Sequence, residues 1–234
     1  MKLITPAVFV IAYSLASARG DLTIVQKVEG GGPVNQITVK MKGDKARIES
    51  APQVTTILDS KTGEMLTLMN QDKKFMRISG DKAKAFAEMA SKYATEPATT
   101  ATKPNLTPTG KKESINGYET EEYAYDAPSF KASYWIAMKY PDGAAILKQL
   151  QAMTPAAWGA AVKGMPDFHD FPGLPLRTRM KIDGKDLITT LTAVKQDPLA
   201  DSEFEVPSDF QEMKMPNIET MLGAKPSAAP SIKP

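Results

Sequence analysis

His169 is the only histidine in the 234 residues, and it stands in "PDFHDF" between Asp167 and Asp170. A histidine flanked by carboxylates suggests a metal ligand or an acid–base pair. As a zinc site it is short of donors, because such centres gather three or four His, Cys or carboxylate groups and the chain has no cysteine. As the base of a Ser-His-Asp hydrolase it would act without a G-x-S-x-G turn, which the sequence lacks. Cysteine nucleophiles are excluded outright. The competing reading is a loop histidine satisfied by local hydrogen bonds. Glu119, Glu121 and Glu122 could supply the carboxylate pair of a glycosidase, or form the solvated flank of a hairpin. Gly30, Gly31 and Gly32 do not open a helix, as a phosphate cradle must, and read as a turn between strands. The residue types therefore favour a protein that is not an enzyme, with no metal and no cofactor.

Apolar surface is the better-supplied resource. The sequence holds 13 methionines, flexible and polarizable side chains that suit both ordinary cores and adaptable binding surfaces. The stretch 153–171, "MTPAAWGAAVKGMPDFHDF", brings Trp158, Met165, Phe168 and Phe171 close together among Gly and Pro. It reads either as a helix packed on a sheet or as a gate over a cavity. In 174–182, Leu174, Leu176, Thr178, Met180 and Ile182 alternate with Pro175, Arg177, Arg179 and Lys181. A two-residue Asp183-Gly184 loop then sets Met180 opposite Leu187, Thr178 opposite Thr189, Leu176 opposite Leu191 and Leu174 opposite Ala193. A slip of one residue would break that apolar match. Arg177 and Arg179, on the other side, could meet lipid phosphates or a partner, or keep an outer strand face soluble.

These residues must be positioned by a mainly β chain. Turn signals every 8 to 12 residues between β-rich runs cover 21–79, the signature of an antiparallel meander, sandwich or barrel. Helical spacing follows at Ala83, Phe86, Ala87, Ala90 and Tyr93. Residues 94–110 are rich in Thr, Pro and Ala and read as a flexible internal loop. Asn116-Gly117 then predicts a hairpin pairing Ile115 with Tyr118 and Lys112 with Glu121. The run 131–140 sets Tyr134, Ile136 and Met138 on one face. Pro141 starts a helix striped by Ile146, Leu147, Leu150 and Met153, and a second helical segment carries Trp158 to Gly164. "SEFEVP" is the last expected strand, ahead of a polar tail, 216–234, without core-forming composition. The total is about eleven strands with three helical segments.

The expected address is outside the cytoplasm. Lys2, the apolar run 3–16 and Ala16-Ser17-Ala18 read as a signal peptide cleaved after Ala18, and the periplasm is the expected compartment. No later run is apolar enough to span a membrane, so an integral membrane protein is not expected. A formal net charge of +2 gives no clustered basic surface for nucleic acid.

This order of elements, together with the closing stretch "GLPLRTRMKIDGKDLITTLTAVKQDPLADSEFEVPSDFQEM", resembles the LolA-like superfamily of outer-membrane lipoprotein carriers and the uncharacterised exported domains grouped beside it. In letters the likeness lies in "FEVPSDF", and in organisation it runs from about 21 to 215. The resemblance implies a curved antiparallel half-barrel over 19–215, open rather than closed, with helices covering its concave face. It implies a lipid or acylated ligand, or an envelope protein partner. No functional residue is carried over from that family. The residues expected to line a lidded cavity come from the alternation and the helix stripe: Leu174, Leu176, Met180, Leu187 and Leu191 on the hairpin, and Leu147, Leu150, Trp158, Phe168 and Phe171 above it. Two functions fit: a lipid or lipoprotein carrier with a mobile lid, and an interaction module of the same fold, for envelope stress or scaffolding, with its cavity permanently plugged. An unrecognised hydrolase relying on His169 is the third.

Overall fold

The computed structural model describes residues 20–30, 32–85, 105–127, 130–153, 166–182 and 184–213. The expected signal peptide, most of the Thr/Pro loop, Trp158 with its helical segment, and the tail lie outside them. Six strands come first: β1 (Leu22–Glu29), β2 (Gln36–Lys42), β3 (Lys45–Ala51), β4 (Val54–Asp59), β5 (Met65–Met69) and β6 (Lys74–Ile78). Residues 80–85 are helical, and the rest of the helix expected up to Tyr93 lies outside the described residues. Then come β7 (Thr107–Ile115), β8 (Tyr118–Ala127), β9 (Phe130–Ala137), helix α1 (Gly143–Ala152), β10 (Leu174–Ile182), β11 (Lys185–Lys195) and β12 (Gln211–Met213).

All twelve strands form one open sheet in the order β12-β6-β5-β4-β3-β2-β1-β11-β10-β9-β8-β7. Two meanders, β1–β6 and β7–β11, are joined where β1 pairs antiparallel with β11. β12 alone runs parallel, beside β6. The expected mainly β, curved and unclosed architecture is what the chain adopts, with twelve strands instead of about eleven.

The turn chemistry acts as the sequence predicts. Asn116 and Gly117 both take positive φ, 50° and 83°, the pair that a two-residue hairpin of matching twist demands. Ile115 faces Tyr118 and Lys112 faces Glu121. Met180 lies opposite Leu187 and Thr178 opposite Thr189. Gly30 closes the turn after β1: its φ is +82° and a Cβ there would fall 1.9 Å from the Asp186 carbonyl oxygen on β11. A glycine is thus a condition of the β1–β11 joint. Gly173 serves the β9–β10 joint in the same way, since a Cβ would lie 2.5 Å from the Ala137 carbonyl oxygen.

Several expectations are corrected. α1 begins at Gly143, because Asp142 turns left-handed at φ 54° and separates Pro141 from the helix. Met138 lies past the end of β9 and is 49% exposed, so it does not continue the Tyr134–Ile136 face. β7 begins at Thr107, within the stretch expected as loop. Its Pro108 is tolerated because β7 is an edge strand and its register shifts between Pro108 and Lys112. "SEFEVP" is not a strand. Asp201–Phe204 form a 3-10 turn, and Phe204 packs with Ile57, Leu66, Leu68 and Phe75.

The most consequential correction is a bulge in β10. The register against β9 shifts between Pro175 and Arg177. Before it Leu174 lies opposite Ala137, and after it Thr178 and Met180 lie opposite Tyr134 and Ala132. Cross-strand partners share a face, so Leu174 shares the face of Ala137 and Trp135 while Met180 shares that of Tyr134. Leu174 and Met180 therefore do not present one continuous face. An extra residue in one strand switches the alternation on either side of it.

Three apolar clusters result. The largest joins Leu22, Ile24, Met41, Ala46 and Leu58 of the first meander with Trp135, Ala137, Leu174, Leu176, Leu191 and α1. A second gathers Tyr123, Tyr125, Tyr134 and Ile136. The third lies on β4–β6 beneath residues 199–210. Neighbours in sequence serve different clusters, as period-2 side chains must: Ile57 belongs to the third and Leu58 to the first.

Candidate functional site

The site to test is the apolar cluster under α1. The stripe expected on this helix is present: Ile146, Leu147 and Met153 are buried in the cluster and Leu150 packs against it. Gly143 lets the helix approach β10, its position for a Cβ only 3.5 Å from the Leu174 Cβ. Little else holds the helix. It has no side-chain N-cap, no acidic residue in its first turn and no basic residue in its last. A ten-residue helix without a side-chain cap is marginal alone and depends on what it packs against. Among the described residues its side chains make two polar links, Gln149 Nε2 to the Gly20 carbonyl and Gln151 Nε2 to His169 Nε2.

Most of the expected lining residues meet in this cluster. Leu174, Leu176 and Leu191 are buried there with Leu147, and Leu150, Phe168 and Phe171 pack against it. Met180 is drawn instead to the tyrosine cluster, as the bulge dictates. Phe171 belongs to both, with its ring edge-on to Tyr134 at 5.0 Å between centroids. Leu187 is half-buried, and Trp158 lies outside the described residues. The cluster is closed to solvent, with Leu176 1% and Ile146 2% exposed.

Among the described residues His169 meets the Gln151 side chain, and its amide donates to Asp167 Oδ1. It lies exposed in a 3-10 turn, Phe168–Asp170, whose capping box ties Asp167 to the His169 amide and Asp170 to the Asp167 amide. Among the described residues no group of three His, Cys, Asp or Glu could hold a metal ion. Gly30 and Gly32, at φ 82° and 75°, lie between β1 and β2 and open no helix, while Gly31 lies outside the described residues. Glu119 and Glu121 do not pair with Glu122 as a glycosidase would require, because neighbours on a strand point to opposite sides. Glu122 is nevertheless not the solvated residue that its acidic neighbours suggested. It is buried and meets Lys111 Nζ at 3.2 Å and Thr109 Oγ1 at 3.2 Å. Burial alone would raise its carboxyl, but hydrogen bonds from Lys111, Ser133 and Thr109 outweigh that and hold it below the ordinary range.

Opposite Glu122 across the β8–β9 pair is Trp135, a member of the main cluster and 7% exposed. Two guanidinium groups lie over its ring, Arg177 at 5.6 Å and Arg179 at 5.1 Å from the centroid. Arg177 is also bound to Glu113 at 2.6 Å. The sequence showed two arginines on a strand and could not show the tryptophan beneath them, which comes from β9.

A polar concavity of about 430 Å³ lies elsewhere, lined by Asn35, Gln36, Thr38, Arg47, Glu49, Thr55 and Asn70. Its amide and ion-pair groups are largely committed to one another: Asn70 Nδ2 donates to Thr55 and Pro52, and Arg47 binds Glu49.

Fold and site together define a single-sheet domain whose apolar interior is covered by a helix rather than by a second sheet. The chain belongs to the family described as domain of unknown function (DUF4412), whose model matches residues 20–210. No curated protein sequence matches it significantly. Among solved structures, the chain is similar to PNGF-II at 14% identity and TM-score 0.41, covering 86% of this chain and 32% of that one. It therefore spans about a third of that longer protein. The lipoprotein LppX of Mycobacterium tuberculosis is similar at 11% identity and TM-score 0.39, over 77% of this chain and 88% of that one. A LolA superfamily protein from Nitrosomonas europaea is similar at 10% identity and TM-score 0.29, over 80% and 89%. No helix of the described residues is long and apolar enough to cross a membrane.

Proposed function

We propose that this chain is an exported, non-enzymatic protein of the cell envelope that holds a lipid or acylated ligand between α1 and the leucines of β10 and β11. The observation that carries this reading is the way α1 is attached: an apolar-striped helix without a side-chain N-cap, with two polar side-chain links among the described residues, resting on Leu174 and its neighbours. Contacts of that kind are non-directional, so an acyl chain can take the helix's place at little cost in specific bonds. The signal-like residues 1–18 support export, to the periplasm.

A second reading is favoured by the close packing itself. With Leu176 and Ile146 almost fully buried, α1 is a permanent plug and the protein is an interaction module for an envelope partner. Native mass spectrometry of protein purified without detergent, with its organic extract analysed in parallel, separates the two. A bound species released on denaturation and recovered as lipid supports the carrier. An empty protein that also fails to bind an added fluorescent fatty acid overturns it in favour of the plug.

A further inference from the structure

The apolar cluster has one charged border of unusual construction, and it bears on what kind of lipid the site takes. Trp135 is a buried member of the cluster, yet two cations lie against its ring. Arg177 is neutralised by Glu113 and also hydrogen-bonds Thr190 Oγ1 at 3.4 Å. Arg179 is exposed, and among the described residues it has no carboxylate within ion-pairing distance. Among the described residues its guanidinium has the Trp135 ring as its neighbour, 5.1 Å from Cζ to the centroid, and its N–H donors are left for another group. Lys181, two residues on, is exposed, carries no such stacking, and lies opposite Asp186. Arg179 is three residues from Leu176 along β10, roughly 10 Å at the rise of a strand. An acyl chain of about sixteen carbons is longer than that separation, so a tail among Leu176, Leu191 and α1 can end in a headgroup at Arg179.

Resting on the carrier reading above, we infer that the ligand is an acidic amphiphile, whose carboxylate or phosphate is taken by Arg179 stacked on Trp135. A guanidinium presents paired donors to either oxyanion, and its stacking means that less side-chain freedom is lost on binding. Arg177, already satisfied by Glu113, positions Trp135 and is not the anion's partner.

The test compares three amphiphiles of equal chain length by displacement of a fluorescent probe: a fatty acid, a lysophosphatidic acid and the fatty-acid methyl ester. The protein should bind at least one acid about tenfold or more tighter than the ester, the scale of one charge-assisted hydrogen bond. Which acid gains identifies the headgroup. Arg179→Gln should bring that acid to near parity with the ester, whereas Lys181→Gln should keep the preference. Equal binding of acids and ester by the natural protein overturns the inference while the carrier reading stands. So does a preference that survives Arg179→Gln or is lost equally in Lys181→Gln. Failure of all three to bind removes the carrier reading itself.

Discussion

Two segments of this molecule perform the same task, covering an apolar region of one sheet, and they do so by opposite means. α1 covers the main cluster with leucine, isoleucine and methionine and makes two polar side-chain links among the described residues. The strap formed by residues 199–213 covers Ile57, Leu66, Leu68 and Phe75 with Leu199, Phe204, Val206 and Phe210, and it is tied down along its length. Asp21 accepts from the Leu199 amide at 2.7 Å, and Lys42 binds Asp201 at 2.8 Å. Glu203 is held by Lys40, and its carbonyl accepts from Arg47 at 2.9 Å. Lys73 meets Asp209 at 2.7 Å and Arg77 meets Glu212 at 3.4 Å, and β12 adds backbone pairing to β6. Individually, exposed ion pairs contribute little. Their effect is geometric: they define a single position for the strap. Among the described residues nothing comparable defines the position of α1. A cover held mainly by fit can be exchanged for another apolar group, and a cover held by directed bonds along its length cannot.

The comparison is most exposed to Phe204→Ala. Phe204 is 4% exposed and anchors the strap, so truncation should cost about 3–5 kcal/mol, seen in urea unfolding. Because the strap serves another cluster, binding of a fluorescent fatty acid by the protein that stays folded should not change. Altered binding would mean that the two covers are coupled. Next in size is Leu147→Ala on α1, with an expected loss of about 2–4 kcal/mol. Here binding should tighten, because the helix competes less well for the same leucines. A weaker complex would place Leu147 in contact with the ligand instead of in competition with it.

The smallest effect concerns charge. Hydrogen bonds from Lys42 and Lys73 hold the Asp201 and Asp209 carboxyls below the usual range. Their contribution is therefore present above the unfolded value near 4 and is lost as pH falls through the lower folded value. Lys42 and Lys73 are raised, first by those same hydrogen bonds, so their share is complete below about 10.4 and disappears only as pH climbs through the folded value. Limited proteolysis within 199–213 should thus be flat across neutral pH, rise below about pH 4, and rise at high salt, where exposed pairs are screened. Cleavage near α1 should show no such salt dependence.

Much of this was legible in the sequence because it was written in local signals. The Asn116-Gly117 and Asp183-Gly184 pairs announced two hairpin registers, which β7–β8 and β10–β11 keep, and the Ile146–Leu147–Leu150–Met153 stripe marked a helix face. What was not legible depended on residues far apart in the chain. The bulge at Leu176 has no composition of its own, and it is what parts Met180 from Leu174. "SEFEVP" alternates like a strand, yet Phe204 finds its partners on the face of β4–β6. Trp135 and its two arginines come together only when β9 pairs with β10. Lys111 and Thr109, in and beside the expected loop, turn Glu122 from a surface acid into a buried one.

The central claim, that α1 is displaceable, can be tested in one protein. A Cβ at position 143 would lie 3.5 Å from the Leu174 Cβ, within the separation of about 3.5–4.5 Å that a disulfide spans, and the natural chain has no cysteine to interfere. Gly143→Cys with Leu174→Cys therefore yields a protein in which oxidation pins α1 to β10 and reduction frees it, with every substitution cost shared by the two states. Fatty-acid binding measured in both should be lost on oxidation and restored by reductant. Equal binding in the two states would show that α1 need not move, and would contradict the account.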